Sequence, residues 1–77
     1  MFISKSYRWR KATDINRESA TFELLADEKI VLDVGCSDKG VFEVIFNEEI
    51  SGLMIDWITL QELIEVGRKL AELDQAP

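Results

Sequence analysis

The sequence predicts an α+β domain: an antiparallel β-meander of about four strands, packed on one face by a C-terminal amphipathic α-helix. Three observations predict it. Residues 30–36 and 41–47 alternate apolar and polar with period two, as half-buried strands do. Between them, Ser37-Asp38-Lys39-Gly40 is a turn cluster ending in glycine. From Thr59 onward the apolar residues fall at helical spacing instead.

Each element follows in order. Residues 2–10 place Ile3, Tyr7 and Trp9 on one side and Ser4, Ser6 and Arg8 on the other. That is a strand pattern, and the out-of-pattern Lys5 suits a sheet edge. Residues 11–19 have no apolar run and read as a loop. Residues 20–26 fit two patterns. Phe22, Leu24 and Ala26 alternate as in a strand, while Ile15, Ser19, Phe22 and Ala26 fit a helical stripe. The strand is preferred, because the β-rich run that follows needs a neighbour.

Parity fixes the register of the central hairpin. Cys36 opposite Phe42 puts Val34 opposite Val44 and Leu32 opposite Phe46, so the large apolar groups share one face. This register fits a loop Asp38-Lys39-Gly40 with Gly40 in the left-handed conformation. A turn at Asn47-Glu48-Glu49 leads to a further alternating run, Leu53, Ile55 and Trp57 against Gly52, Met54 and Asp56. Thr59-Leu60-Gln61-Glu62 has the form of a capping box. The helix it opens, 59–74, carries Leu60, Leu63, Ile64, Gly67, Leu70 and Ala71 on one stripe. Glu65 and Lys69 stand four apart as a favourable pair. Gly67 costs about 1 kcal/mol against alanine in mid-helix, so its place on the buried stripe predicts a close approach to the sheet.

The chain is read as a single small domain over residues 1–77: a basic N-terminal strand and loop (1–19), the meander (20–57) and the helix (59–74). A chain of 77 residues buries only about 60% of its unfolded surface, enough for a small core but not for a core plus a deep cleft. One cysteine, Cys36, excludes an intrachain disulfide. With no histidine, zinc sites built on Cys/His and Ser-His or Cys-His nucleophiles are excluded as well. No apolar run is long enough for a membrane span, and MFISKSYRWRK lacks the core of a secretory signal, so a cytoplasmic protein is expected.

Charge is uneven. Residues 1–17 hold five bases and one acid (5 − 1 = +4), and residues 18–77 hold four bases and fourteen acids (4 − 14 = −10), giving −6 overall. An acidic body disfavours nucleic acid and favours a basic protein partner.

Val31-Leu32-Asp33-Val34-Gly35-Cys36 resembles the first nucleotide-binding motif of class I S-adenosylmethionine-dependent methyltransferases, with Asp56 where that family's ribose-binding acid would fall. The resemblance implies a cofactor loop. Against it, Ser37 and Lys39 occupy the next two positions where glycine is wanted, and residues 41–47 alternate as a strand where a helix should follow. A doubly wound domain also needs more chain. The stretch is therefore read as a hairpin, and no cofactor is assigned.

The candidate site is the uncovered sheet face. The expected rows are Glu23, Asp33, Ile45 and Met54, then Gly35, Glu43 and Asp56, with Leu25, Val31 and Asn47 beside them. Like charges opposite one another destabilise a sheet, so Glu23 beside Asp33 suggests a use for the negative potential. Glu23, Asp33, Glu43, Ile45, Met54 and Asp56 are the expected partner-binding residues; no catalytic, cofactor or metal residue is expected. Trp9 and Trp57 are read as core-edge residues, and either, if exposed, is the best single anchor for a partner. The functional expectation is a small acidic non-catalytic protein-binding module, an inhibitor or immunity-type antagonist of a larger basic protein. The alternative is a structural homodimer that buries the open sheet face or pairs its edge strands.

Overall fold

The computed structural model of the chain describes residues 2–3, 6–12, 20–48 and 50–75. The loop expected over 11–19 lies outside these from residue 13 onward, as do Ser4, Lys5 and Glu49. The elements are β1 (Phe2–Ile3), β2 (Tyr7–Ala12), β3 (Thr21–Ala26), β4 (Lys29–Cys36), β5 (Phe42–Phe46), β6 (Leu53–Met54) and α1 (Trp57–Gln75). Strands β2-β3-β4-β5 form an antiparallel sheet in that order, and α1 packs on its two central strands, β3 and β4. The predicted α+β architecture is the observed one, and residues 21–26 are strand.

Three boundaries differ from expectation. The single strand expected over 2–10 is two strands in different sheets, β1 and β2, and β2 runs on to Ala12. The meander takes its fourth strand from β2, at the N-terminal end, and not from residues 53–57. β6 pairs in parallel with β1 instead, Phe2 beside Leu53 and Ile3 beside Met54. Helix α1 also starts two residues earlier than predicted, at Trp57. Its cap is Asp56, not Thr59. Asp56 Oδ2 accepts the Thr59 N–H at 2.9 Å, and Oδ1 accepts the Thr59 hydroxyl at 2.6 Å. An aspartate that takes both donors satisfies an otherwise orphaned amide and places its charge at the positive helix end.

The β4–β5 register is as parity predicted: Cys36 faces Phe42, Val34 faces Val44 and Leu32 faces Phe46. Gly40 has φ +82, and the turn closes through Ser37 N–H to Val41 O and Gly40 N–H to Ser37 O, both 2.8 Å. The β3–β4 turn is tighter. Ala26 faces Lys29, so Asp27 and Glu28 are its whole loop, with φ of 50 and 69. A two-residue hairpin matching strand twist needs both central residues left-handed. Asp27 helps hold this one, since its N–H donates to Ser6 O and its Oδ1 accepts the Ser6 N–H. A bulge between Leu24 and Leu25 shifts the register, so Leu24 faces Leu32 but Leu25 faces Ile30. Val31 is the extra residue, and it turns into the helix-side core.

That core contains Phe22, Leu24, Ala26, Val31, Leu32, Val34, Cys36 and Ala71, with Tyr7, Trp9, Phe42, Leu63, Ile64 and Leu70 packed around it. Gly67 is buried against the sheet. A Cβ built on it would lie 2.6 Å from the Trp9 ring and 3.1 Å from a Val34 methyl, so the close approach read from the sequence is real. Trp9 therefore sits at the core edge, as expected. Trp57 does not; it is 69% exposed. On the outer helix face Glu65 pairs with Arg68 at 2.6 Å, in place of the anticipated Lys69. Among the described residues no helix is long and apolar enough to cross a membrane.

Candidate protein-interaction surface

The sheet face away from α1 carries part of the expected acidic patch. Glu23 faces Asp33, Asp33 faces Ile45 and Gly35 faces Glu43 across the strands. Four of the six candidate residues, Glu23, Asp33, Glu43 and Ile45, thus share that face. Met54 and Asp56 do not join them. Met54 belongs to β6 in the separate two-stranded sheet, and Asp56 is the helix cap. The apolar residues expected there, Leu25 and Val31, are 2% and 7% exposed, leaving Ile45 at 52%.

The basic first strand answers much of the acid. Arg10 is the cross-strand neighbour of Glu23 and donates to its Oε1 from Nε at 3.0 Å and Nη2 at 2.8 Å. Arg8 grips Glu28 with two hydrogen bonds of 2.8 and 2.6 Å. Lys11 reaches Asp74 on α1 at 3.0 Å. Exposed pairs of this kind add little stability, but they set where negative potential remains. What remains on this face is Asp33 and Glu43. Asp33 is half-buried, its Oδ1 has no hydrogen-bond partner among the described residues, and its carboxyl is pushed above the ordinary value by burial and secondly by Glu23.

Apolar exposure lies elsewhere, around β5 and along the outer side of α1 as far as Leu73. Phe46 is 70% exposed, Trp57 69% and Val41 57%. A cleft of about 340 Å³ runs between β5 and α1, lined by Phe42, Trp57, Leu60, Gln61, Ile64, Glu65 and Arg68. A second, of about 210 Å³, is lined by Phe46, Ile50, Leu53, Ile55 and Val31, among others, and shares Leu60 with the first. The two make one apolar trough beside β5. Its lining is largely apolar, with Gln61, Glu65 and Arg68 along the α1 wall of the first cleft. Among the described residues, no group of three or more carboxylates and thiols is placed to hold a metal ion.

β5 is also a sheet edge. Ser37 N–H donates to Val41 O and Asn47 N–H to Val31 O, so the odd-numbered residues of this strand direct their backbone groups toward β4. By alternation, the N–H and C=O of Phe42, Val44 and Phe46 point out from the free edge. The two edges contrast. β2 carries Arg8, Arg10 and Lys11, the charges that keep an edge from pairing, whereas β5 is FEVIF with one charge and no proline.

Of this surface, the expected site residues include Glu43 and Ile45, and Trp57 is the anchor expected if exposed; Phe46 and the trough are not among them. Its composition was visible, but which strand ends the sheet is a matter of strand order, and alternation reports only faces. No protein-family model matches the chain, and no curated protein or solved structure is detectably similar to it.

Proposed function

We propose that this chain is a small non-catalytic protein-binding module whose interaction surface is the β5 edge together with the apolar trough around Trp57. The single observation that carries the reading is an unguarded edge strand with Phe46 and Trp57 each more than two-thirds exposed beside it. Backbone groups on such an edge give affinity by strand addition, and pockets beside it give specificity. An exposed tryptophan at the rim of a cleft is a typical anchor. The acidic sheet face takes the lesser role in this reading, because Arg10 and Arg8 already engage Glu23 and Glu28. An antagonist of a basic protein would use Glu43 and Asp33 as a flanking rim to steer the encounter.

Photo-crosslinking in cells tests it. A photoreactive phenylalanine analogue replaces Phe46 or Trp57, and a control replaces the exposed Lys11 on β2, at the opposite edge of the sheet. Adducts with any protein from positions 46 and 57, and none from 11, are expected. An absence of adducts from both, or equal yield from all three, would sink the proposal.

A further inference from the structure

The occupant of the β5 edge can be read from the strand itself. We infer that two copies of this chain pair through β5, antiparallel, about a two-fold axis at Val44. This rests on the reading of β5 as the interaction edge and names what binds there.

The strand is self-complementary in that register. Val44 meets Val44 of the second copy, Phe42 meets Phe46, and Glu43 meets Ile45. The outward backbone groups belong to Phe42, Val44 and Phe46, which are the residues this register brings opposite one another. All of them form hydrogen-bonded pairs, six bonds in total by antiparallel geometry. A shift by one residue would set inward-directed groups against outward ones and lose the ladder. On the helix side, the register stacks Phe42 against Phe46 twice, a favourable cross-strand pair. It also carries Phe46 of the second copy beside Phe42, which lines the cleft next to Trp57.

Charge agrees with this. Each copy has a net charge of −6, so an interface must keep carboxylates apart. Glu43 is the only charge on β5, and here it faces an isoleucine and not its own copy. The opposite edge, β2, carries Arg8, Arg10 and Lys11, charged side chains of the kind that guard an edge against pairing.

Area limits the affinity. Aromatic side chains carry roughly 150–250 Å², so Phe46 and Trp57 leave on the order of 100–170 Å² each in water. A contact built on one strand edge and these side chains is no larger than the roughly 1,200 Å² lower bound for a stable specific interface, so the dimer dissociates on dilution. The product is a continuous eight-stranded sheet with both helices on one side, a closed isologous pair.

Sedimentation of the full chain from about 5 μM to about 1 mM tests it, in a range where weak dimers respond. A monomer–dimer equilibrium is expected. Phe46→Lys should raise the dissociation constant at least tenfold, and so should the strand-compatible Phe46→Thr, which keeps the comparison valid if the lysine variant fails to fold by circular dichroism. Ile45→Lys should leave the dimer intact or tighten it, since the lysine would face Glu43 of the second copy. A monomer at every concentration overturns the inference, as does a dimer that Ile45→Lys dissociates or that both Phe46 variants spare. A monomer whose position-46 crosslinks run at masses other than two chains removes the self-pairing and leaves the binding module standing.

Discussion

Gly67→Ala is the substitution whose sign the packing decides. In an exposed helix interior, alanine is better than glycine by about 1 kcal/mol. Here the new Cβ would stand 2.6 Å from two atoms of the Trp9 ring and 3.1 Å from a methyl of Val34, which is fully buried. The ring must move off the helix, or α1 must lift from β3 and β4. Overpacking a closed contact costs roughly 1–3 kcal/mol, so the helix gain is offset and the net change is a loss of about 1 kcal/mol. For a domain of this size that lowers Tm by roughly 4–8 °C. Thermal unfolding followed by circular dichroism reads the shift, and Trp fluorescence reports the displaced indole. Trp9→Phe removes the part of the ring that meets the Cβ. In that background, Gly67→Ala should become neutral or stabilising, a coupling the double-mutant cycle isolates. A rise in Tm for Gly67→Ala alone, with unchanged fluorescence, would refute the argument.

Three further outcomes follow from the charge pattern. Asp33→Asn should stabilise the fold at pH 7 by an amount within the roughly 0.2–1 kcal/mol of a cross-strand pair. The folded Asp33 carboxyl titrates above its ordinary 3.8, so its penalty grows as pH rises through the folded value, and the gain from Asn should fade below pH 3.8; a gain independent of pH would contradict this. Asp56 is held below its ordinary value, first by the Thr59 hydroxyl and then by backbone amides, so it contributes stability above pH 3.8 that is lost as pH falls through its depressed folded value. Asp56→Ala should lower Tm at pH 7 and lose that effect in strong acid. Glu28, held low by its hydrogen bonds from Arg8, has the same sign, so Glu28→Gln removes one proton-coupled group and should broaden the acid unfolding transition measured by circular dichroism.

What could be read from the sequence was whatever depends on parity and period. The Cys36–Phe42 hairpin, its Gly40 turn, the Glu23–Asp33–Ile45 row and the Gly67 contact are all consequences of which residues alternate or repeat. What could not be read depends on competition between equal local patterns or on strand order. Asp56-x-x-Thr59 and Thr59-x-x-Glu62 are both plausible helix starts, and the aspartate prevails by accepting two hydrogen bonds from Thr59. Leu53, Ile55 and Trp57 alternate like a strand, yet only Leu53–Met54 pairs, and with β1. The bulge that turns Val31 inward leaves no mark on the alternation around it. Met54 and Asp56 fall outside the expected patch for these reasons, and edge pairing is foreseeable from the sequence while the identity of β5 as the edge is not, because faces, not edges, are periodic.

Amide hydrogen exchange along β5 shows whether another strand completes this edge. Protection should alternate along the strand and depend on association. In dilute protein, the amides of Glu43 and Ile45 should be protected by β4, while those of Phe42, Val44 and Phe46 exchange freely. At high concentration the even-numbered amides should slow by tenfold or more and the odd-numbered ones change little. Even-numbered amides that exchange at the same rate at every concentration, in a protein shown to associate, would contradict it.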